Sequence, residues 1–545
     1  MRVIHRLIHL ITVPIILLHL LFLVQWGIFM GTVLQPYTIS VPGHTYVPLR
    51  GHLTYTSLIR QSRDGAWKTL TTHTTRPTPE LYVHTFFVFL GKLAAIFHID
   101  PPTMYMASRM AAAVILFWST YWFVHTLLPK PIHSLALFFI LALEPGPMLS
   151  TITTSLTTWR PAIFSYYPQI VSLRHFGLPH HTLGEALGLI SITLLFLAVK
   201  KPTFSRLVWL GIATFLGVNV LPPYFIIISI CLLLPWALWA LVHSSVARIV
   251  LPMSIKVGII ALVSLFLKAQ MSQGYPAKDF NIDEKRWVTN ADVLVSYAST
   301  LILYIPFIAL LWSRCIGVWR TLDTSTKRLI ALMSAWTVLP ALLVPLSSYA
   351  WFPLANFRLM DGYNYAPAGI LAAIGFYYGM KMIRNHAASQ FIAGFLMMGL
   401  VLATGFLSYH YTKLVLTEQS YPWTNVYIHN DHYKAFKFLG TVPNMSGLMI
   451  SNHFGEIAPE FAPVRAFIGS TPGFVDWDER FWIVGRFYSQ SFTESDAAAL
   501  LAREDISYVY YGDAEKSINT SGRPLYPNLL TPVFETPVVT VYKVK

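Results

Sequence analysis

Ionisable side chains interrupt the long apolar segments of this sequence, and these interruptions are where chemistry is expected. Arg358 and Asp361 follow an apolar stretch and stand among several aromatic residues. A guanidinium group can bind a phosphate through paired, charge-assisted hydrogen bonds. The alternative is an arginine that reaches the aqueous interface and pairs with Asp361. The residue types leave both interpretations open.

Glu144 lies at the end of another apolar segment. A carboxylate in or beside hydrocarbon is expected to face the protein interior and to pair there. Glu144 therefore either forms an ion pair with Arg160 or Arg109, or binds a substrate.

The adjacent pair His180-His181 begins a further apolar segment and precedes Glu185 by one turn. Two neighbouring histidines without a third ligand are a weak signal for a metal site, so no metal is predicted. Both histidines remain candidates for substrate binding.

The composition of the chain indicates what kind of structure must position these residues. The 545-residue chain is 54% hydrophobic and 12% charged, with a mean hydropathy of +0.53, which lies outside the range of soluble globular proteins. Residues 411–545 carry 11 Lys/Arg and 14 Asp/Glu, so of the net charge of +14 the remainder of the chain holds +17. Basic residues in short loops indicate the cytoplasmic side of a multi-pass membrane protein. A soluble module with a basic stripe is absent from the sequence, which argues against nucleic acid as a partner.

The apolar runs predict a polytopic α-helical membrane protein with a cytoplasmic N-terminus, in the inner (plasma) membrane of the cell. Residues 1–424 form the transmembrane domain, and residues 425–545 form a small extracytoplasmic α/β domain. Eleven spans are predicted, at approximately 8–30, 105–128, 132–149, 183–199, 206–222, 224–243, 249–267, 293–312, 328–346, 366–382 and 390–410.

The segment 31–104 is predicted to be a large extracytoplasmic loop, called loop one below. Within it, residues 81–98 are apolar but short and contain Lys92, so they are predicted to lie at the membrane interface rather than to cross it. The paired prolines in Val220-Leu-Pro-Pro-Tyr224 predict a tight turn between two spans.

Alternating apolar residues predict strands in the C-terminal domain at 448–450, 464–468, 508–510 and 538–544. Helices are predicted at 476–490 and 494–504. Thr493 is the expected N-cap of the second helix, because its hydroxyl can accept a hydrogen bond from the first turn.

Short motifs recur in a fixed order along the chain. They are Gly51-His-Leu-Thr-Tyr55, Ile59-Arg-Gln-Ser-Arg-Asp-Gly-Ala-Trp67, Pro77-Thr-Pro-Glu80, Pro101-Pro102 with Arg109, Pro179-His-His181, Asn356-Phe-Arg-Leu359, Phe467-Ile-Gly469 and Tyr508-Val-Tyr-Tyr-Gly512. This order resembles that of the GT-C glycosyltransferases, a group that includes protein mannosyltransferases and lipid A aminoarabinose transferases. The resemblance implies a polyprenyl-phosphate sugar as donor, reaction outside the membrane, and binding of the donor phosphate by Arg358 and Arg160. Tyr55, Glu144, His180, His181 and Asp361 are then candidate substrate-binding residues.

The sequence departs from the family pattern at one position. Family members place an acidic residue before the tyrosine of loop one, and here His52 precedes Tyr55. A carboxylate suits the removal of a proton from an acceptor hydroxyl, and a neutral imidazole can do the same near pH 7. The base is therefore His52, Asp64 or Glu80, or the protein is no longer catalytic.

The leading hypothesis is a hexosyltransferase that moves a sugar from a polyprenyl-phosphate donor to a lipid, glycan or protein acceptor on the outer face. The alternative is a catalytically inactive membrane scaffold or lipid-glycan binding protein. A transporter is disfavoured because the sequence shows no inverted repeat. The sequence contains no P-loop or dinucleotide-binding motif in a fitting context, so no cofactor is predicted, and a divalent cation is left open. The expected partners are the donor, membrane lipids and an acceptor that the sequence does not identify.

Overall fold

The computed structural model of the protein describes residues 44–46, 53–82, 84–142, 178–235, 237–238, 244–271, 289–301, 304–305, 307–308, 322–349, 352, 354–360, 365–381, 395, 427–443, 445–469, 476–519 and 521–545. The chain divides into two compact units. The first comprises Met1–Gly31, Arg109–Lys268 and Lys285–Thr412, and the second comprises Thr32–Ser108, Ala269–Glu284 and Lys413–Lys545. The domain boundary predicted at residue 424 falls outside the described residues.

Helices predominate in the described part of the chain before residue 382. In order they are α1 (Leu53–Arg63), α2 (Thr85–Phe97), α3 (Pro101–Leu127), α4 (Lys130–Ala142), α5 (Pro179–Lys200), α6 (Phe204–Val220), α7 (Pro222–Ile228), α8 (Ser244–Met271), α9 (Asn290–Leu301), α10 (Thr324–Leu343) and α11 (Tyr365–Lys381). Two 3-10 turns, Val344–Ser348 and Asn356–Met360, lie between α10 and α11.

Three stretches among the described residues combine the length and the apolar composition needed to cross a membrane. They are Pro101–Leu127, Pro179–Lys200 and Thr324–Ser348. Each overlaps a span predicted from the sequence, so an apolar helix at each of these positions is confirmed. The total of eleven spans stays a prediction.

Glycines allow α5, α6 and α7 to pack closely in the first unit. A Cβ at Gly188 would lie 1.6 Å from Cε1 of Tyr224, and one at Gly217 would lie 2.2 Å from the ring of Phe225. Small residues of this kind let helix backbones approach one another in a membrane, where apolar burial alone does not drive association. The predicted turn at Val220-Leu-Pro-Pro-Tyr224 is confirmed, since α6 ends at Val220 and α7 begins at Pro222.

In the second unit, α1 packs against α2 of loop one. A Cβ at Gly91 would lie 2.4 Å from Cβ of Ser62, so only glycine fits at this crossing. With 13 residues, α2 is about 20 Å long, shorter than the roughly 30 Å of a bilayer core. It leaves Phe89, Ile96 and Phe97 exposed. Its predicted position at the membrane interface stays a prediction.

The second unit also contains a short two-stranded sheet. Strand β1 (His44–Tyr46) of loop one pairs antiparallel with strand β2 (Tyr427–His429). This pairing brings together two strands that are far apart in the sequence.

A five-stranded mixed sheet forms the centre of the second unit. Its strands are β3 (Ser446–Met449), β4 (Val464–Ala466), β5 (Ile506–Tyr511), β6 (Leu530–Glu535) and β7 (Thr540–Val544), in the spatial order β4-β3-β5-β7-β6. Strand β3 runs parallel to β4 and β5, and β7 runs antiparallel to β5 and β6.

Helices cover the sheet. They are α12 (Asn430–Leu439), α13 (Asn452–Gly455), α14 (Ala458–Phe461), α15 (Trp477–Tyr488), α16 (Glu494–Arg503) and α17 (Asp513–Ile518). Two apolar clusters pack around the sheet, one including Phe436 and Leu448 and the other including Val509 and Phe487.

The strands predicted at 448–450, 464–468, 508–510 and 538–544 are confirmed as β3, β4, β5 and β7, with ends shifted by a few residues. The predicted helices are confirmed as α15 and α16. Thr493 caps α16 as expected, because its Oγ1 accepts a hydrogen bond from the backbone N–H of Asp496 at 3.1 Å.

Candidate functional site

Arg358 lies in the 3-10 turn Asn356–Met360 of the first unit, and its side chain is buried. Its Nη1 lies 3.4 Å from Nε2 of His181, which begins α5. Arginine carries only hydrogen-bond donors, so this contact requires His181 to accept at Nε2.

Two asparagines support the turn that carries Arg358. The amide of Asn356 donates from Nδ2 to Oδ1 of Asn290 at 2.9 Å, and the amide of Asn290 donates to Oγ of Ser348 at 2.7 Å. The turn is thus tied to the start of α9, which is itself bonded to the 3-10 turn Val344–Ser348.

His180 and His181 are both buried, and their rings meet edge to face at 4.5 Å. Glu185, one turn further along α5, is buried as well and interacts electrostatically with Tyr224 of α7. The expectation that an acid within an apolar segment faces the protein interior is confirmed for Glu185. Their role in binding a substrate stays a prediction.

In loop one, Asp64 is bonded to two arginines. Its Oδ2 accepts from Nη1 of Arg60 at 3.3 Å, and its Oδ1 accepts from Nε and Nη2 of Arg63 at 3.0 and 2.9 Å. The side chain remains accessible to solvent. Asp64 is thus a solvent-accessible carboxylate whose two oxygens already pair with arginines.

Tyr55 is half-buried on α1 and stacks on Phe87 of α2, with ring centroids 4.4 Å apart. His84 meets the same tyrosine edge-on at 5.5 Å. Glu80 is exposed. Within loop one the structure therefore gives Tyr55 a packing role and leaves Glu80 open to solvent.

The sequence predictions did not single out Glu460, a buried acid of the second unit. Glu460 of α14 is 2% exposed and lies beside Thr56 of α1. Burial raises the pKa of its carboxyl well above the usual range, the charge of Asp100 raises it further, and a hydrogen bond from Thr56 opposes the rise. The local sequence Ala458-Pro-Glu-Phe461 resembles an ordinary surface helix, so only the fold shows that this acid is enclosed.

Four candidate residues, His52, Glu144, Arg160 and Asp361, lie outside the described residues. Among the residues that are described, the structure shows no group of three or more His, Cys, Asp or Glu side chains arranged to hold a metal ion.

No protein-family model matches the chain, and no curated protein matches it in sequence. Its fold is similar to that of ArnT from Cupriavidus metallidurans bound to undecaprenyl phosphate, with a TM-score of 0.53, 9% identity and coverage of 97% of both chains. The apo form of the same protein gives a TM-score of 0.48 at 11% identity, covering 95% of this chain and 97% of that one. The Archaeoglobus fulgidus oligosaccharyltransferase in complex with Zn and sulfate gives 0.49 at 13% identity, covering 96% of this chain and 72% of that chain.

Proposed function

Because the chain has the GT-C-like fold that its sequence predicts, we propose that it is a glycosyltransferase. It moves a sugar from a polyprenyl-phosphate donor to a lipid, glycan or protein acceptor on the outer face of the membrane. The observation that carries the proposal is the likeness over 97% of both chains to a structure that contains undecaprenyl phosphate.

The proposed reaction is a displacement at the sugar carbon that is bonded to phosphate. The acceptor oxygen forms a bond to this carbon, and the bond from carbon to the phosphate oxygen breaks. The electron pair stays on the polyprenyl phosphate, and a base takes the proton of the acceptor hydroxyl. The activated donor supplies the driving force.

Arg358 is proposed to bind the departing phosphate. Its burial lowers the effective dielectric around the guanidinium, which strengthens its attraction to a phosphate. Negative charge grows on the phosphate as the bond breaks, so a fixed cation stabilises the transition state more than the ground state. Arg160 is proposed as a second cation for the same phosphate.

The proton acceptor is proposed to be His52, Asp64 or Glu80 of loop one. Of these, Asp64 is already paired with Arg60 and Arg63, so it would have to leave one of them to take a proton. Glu144, Tyr55, His180, His181 and Asp361 are proposed to shape the substrate pocket.

The test uses the full-length protein in lipid nanodiscs with a panel of undecaprenyl-phosphate sugars. Turnover with at least one donor, lost in Arg358→Ala and kept in Arg523→Ala, supports the proposal. Arg523 is the matched control because it is an exposed arginine of the C-terminal domain. Binding of undecaprenyl phosphate without transfer from any donor favours the inactive scaffold instead.

The base is tested separately by His52→Ala, Asp64→Ala and Glu80→Ala. Loss of turnover in one of the three, with donor binding retained, identifies the base. Full activity in the triple variant shows that loop one does not supply it.

A further inference from the structure

Loop one lies along the edge strand of the large sheet in the second unit. The backbone N–H of Ala466, in β4, donates to the carbonyl of Thr72 at 2.9 Å. Arg465 donates from Nη1 to the carbonyl of Thr75 at 2.9 Å. The segment 72–75 is fully buried and covers an edge that would otherwise expose unpaired backbone groups.

Arg480 of α15 connects this segment to the domain. It is 4% exposed, and its Nη1 donates both to Oγ1 of Thr75 at 3.1 Å and to the carbonyl of Phe467 at 2.6 Å. Its Nε donates to Asp476 at 2.6 Å, and its Nη2 donates to Glu504 at 3.1 Å. The guanidinium also lies over the ring of Phe467, at 4.6 Å.

The hydroxyl of Thr75 closes this network. It donates to Oε2 of Glu504 at 2.9 Å while it accepts from Arg480. Thr75 and Arg480 are 405 residues apart in the chain. A buried charge that loses its partners is strongly unfavourable, so the network resists opening.

Further contacts hold neighbouring parts of loop one. Arg76 pairs with Asp476 at 3.1 Å. His73 lies against Gly469, where a Cβ would come within 2.7 Å of the imidazole ring. On α1, Nε of Arg60 donates to the carbonyl of Pro459 at 3.1 Å. Loop one is therefore bound to the C-terminal sheet and its helices at several points.

We propose that Arg480 is a positioning residue that, through Thr75, fixes loop one on the C-terminal sheet and so sets the position of the proposed base. The inference rests on the proposed function, since it gives the C-terminal domain a part in catalysis. It assigns to the domain the task of holding Asp64 and Glu80 in place.

Two variants of the full-length protein weaken the contact without removing the domain. Thr75→Val keeps the shape of the side chain and removes the hydroxyl. Arg480→Lys keeps the charge and removes the forked geometry that reaches four partners. The control is Tyr488→Phe, which removes hydrogen bonds to Met449 and Tyr510 inside the same domain and touches no residue of loop one.

Hydrogen exchange and turnover are measured together. We expect amide exchange in residues 69–82 to become about 5- to 30-fold faster in Thr75→Val and Arg480→Lys, while strands β3 and β5 stay protected. We also expect kcat to fall by about the same factor with KM for the donor unchanged. Tyr488→Phe should lower thermal stability and leave kcat unchanged at the assay temperature.

Each result decides one question. Exchange and kcat within twofold of the wild type in both variants would overturn the inference, as would faster exchange with an unchanged kcat. An equal loss of kcat in Tyr488→Phe would show a general effect of stability and overturn it as well. If the wild type turns over no donor, the proposed function fails, and the exchange data still show whether Arg480 holds loop one.

Discussion

Glu515 accepts a hydrogen bond from the backbone N–H of Ser451 at 3.0 Å, and so joins the ends of two neighbouring parallel strands. Ser451 follows β3, and the other carboxylate oxygen of Glu515 accepts from the N–H of Gly512, which follows β5, also at 3.0 Å. The side chain is fully buried. One acid thus satisfies two backbone donors at the carboxyl edge of the sheet.

The variant Glu515→Gln should destabilise the second unit. Glutamine keeps one acceptor oxygen but turns an NH₂ group toward a backbone N–H, which leaves a buried donor without a partner. The expected loss is about 1–3 kcal/mol of unfolding free energy. Thermal unfolding of the full-length protein in detergent, with Glu479→Gln at an exposed position as the control, measures it. Equal stability of both variants would contradict the prediction.

The stability of the loop-one segment should depend on pH through His73. Burial lowers the pKa of His73 to about 4, although its hydrogen bond to the carbonyl of Glu456 opposes the shift. The neutral ring is therefore favoured in the folded state. The stabilisation that the neutral ring gives to the folded state is complete above pH 6.5. It is lost as the pH falls from 6.5 to 4, and the loss amounts to about 3 kcal/mol at most.

Hydrogen exchange of residues 69–82 between pH 7.5 and 4, corrected for the intrinsic rate, tests this dependence. In His73→Leu the corrected protection of this segment should no longer fall between pH 6.5 and 4. The level of protection at pH 7.5 does not affect this expectation. Glu460 changes the stability with pH in the opposite direction, because burial raises the pKa of its carboxyl. This effect is the same in the wild type and in His73→Leu. Identical profiles for wild type and variant would refute the role of His73.

Arg358 should control the affinity for a polyprenyl phosphate. Loss of charge-assisted hydrogen bonds in Arg358→Ala is expected to weaken binding of undecaprenyl phosphate by roughly 10- to 150-fold. His181→Gln offers an acceptor oxygen to the guanidinium and should bind more tightly than His181→Leu, which offers none. Fluorescence titration in nanodiscs measures the affinities. If His181→Leu binds as well as wild type, the histidine does not orient Arg358.

The packing of α5 on α7 predicts a contrast between two glycines. Gly188→Ala would drive a methyl group into the ring of Tyr224, and overpacking of this kind destabilises by about 1–3 kcal/mol. Gly258→Ala meets no atom within 4 Å and should be neutral or slightly stabilising. Thermal unfolding of the two variants in the same detergent compares them, and equal melting temperatures would argue against the packing.

Local signals predicted much of the second unit correctly. The alternation of apolar residues located four strands, and Thr493 marked the start of α16, because such patterns depend only on neighbours in the chain. Strand β6 was missed, since Pro532 lacks a backbone donor and argues against a strand. The proline is accommodated because β6 is an edge strand and bulges between Pro532 and Phe534.

The enclosed charges were not predictable in the same way. Arg480 and Glu460 look like surface residues of short helices, yet both are buried and lie against residues of loop one. These contacts join residues about 400 positions apart, and a pattern of neighbouring residues cannot predict such contacts. The candidate phosphate ligand Arg358 was found because a charge beside an apolar segment is unusual on its own.

The contact of Thr75 with Arg480 also has a consequence for biosynthesis. At roughly 5–20 residues per second, a ribosome needs about 20–80 seconds to make the chain between these two residues. During that interval the segment 72–76 lacks the C-terminal sheet along which it lies, so it should be cut by a protease added to chains stalled before Tyr427. Protection should begin only once Glu504, the hydrogen-bond partner of Thr75, has been made.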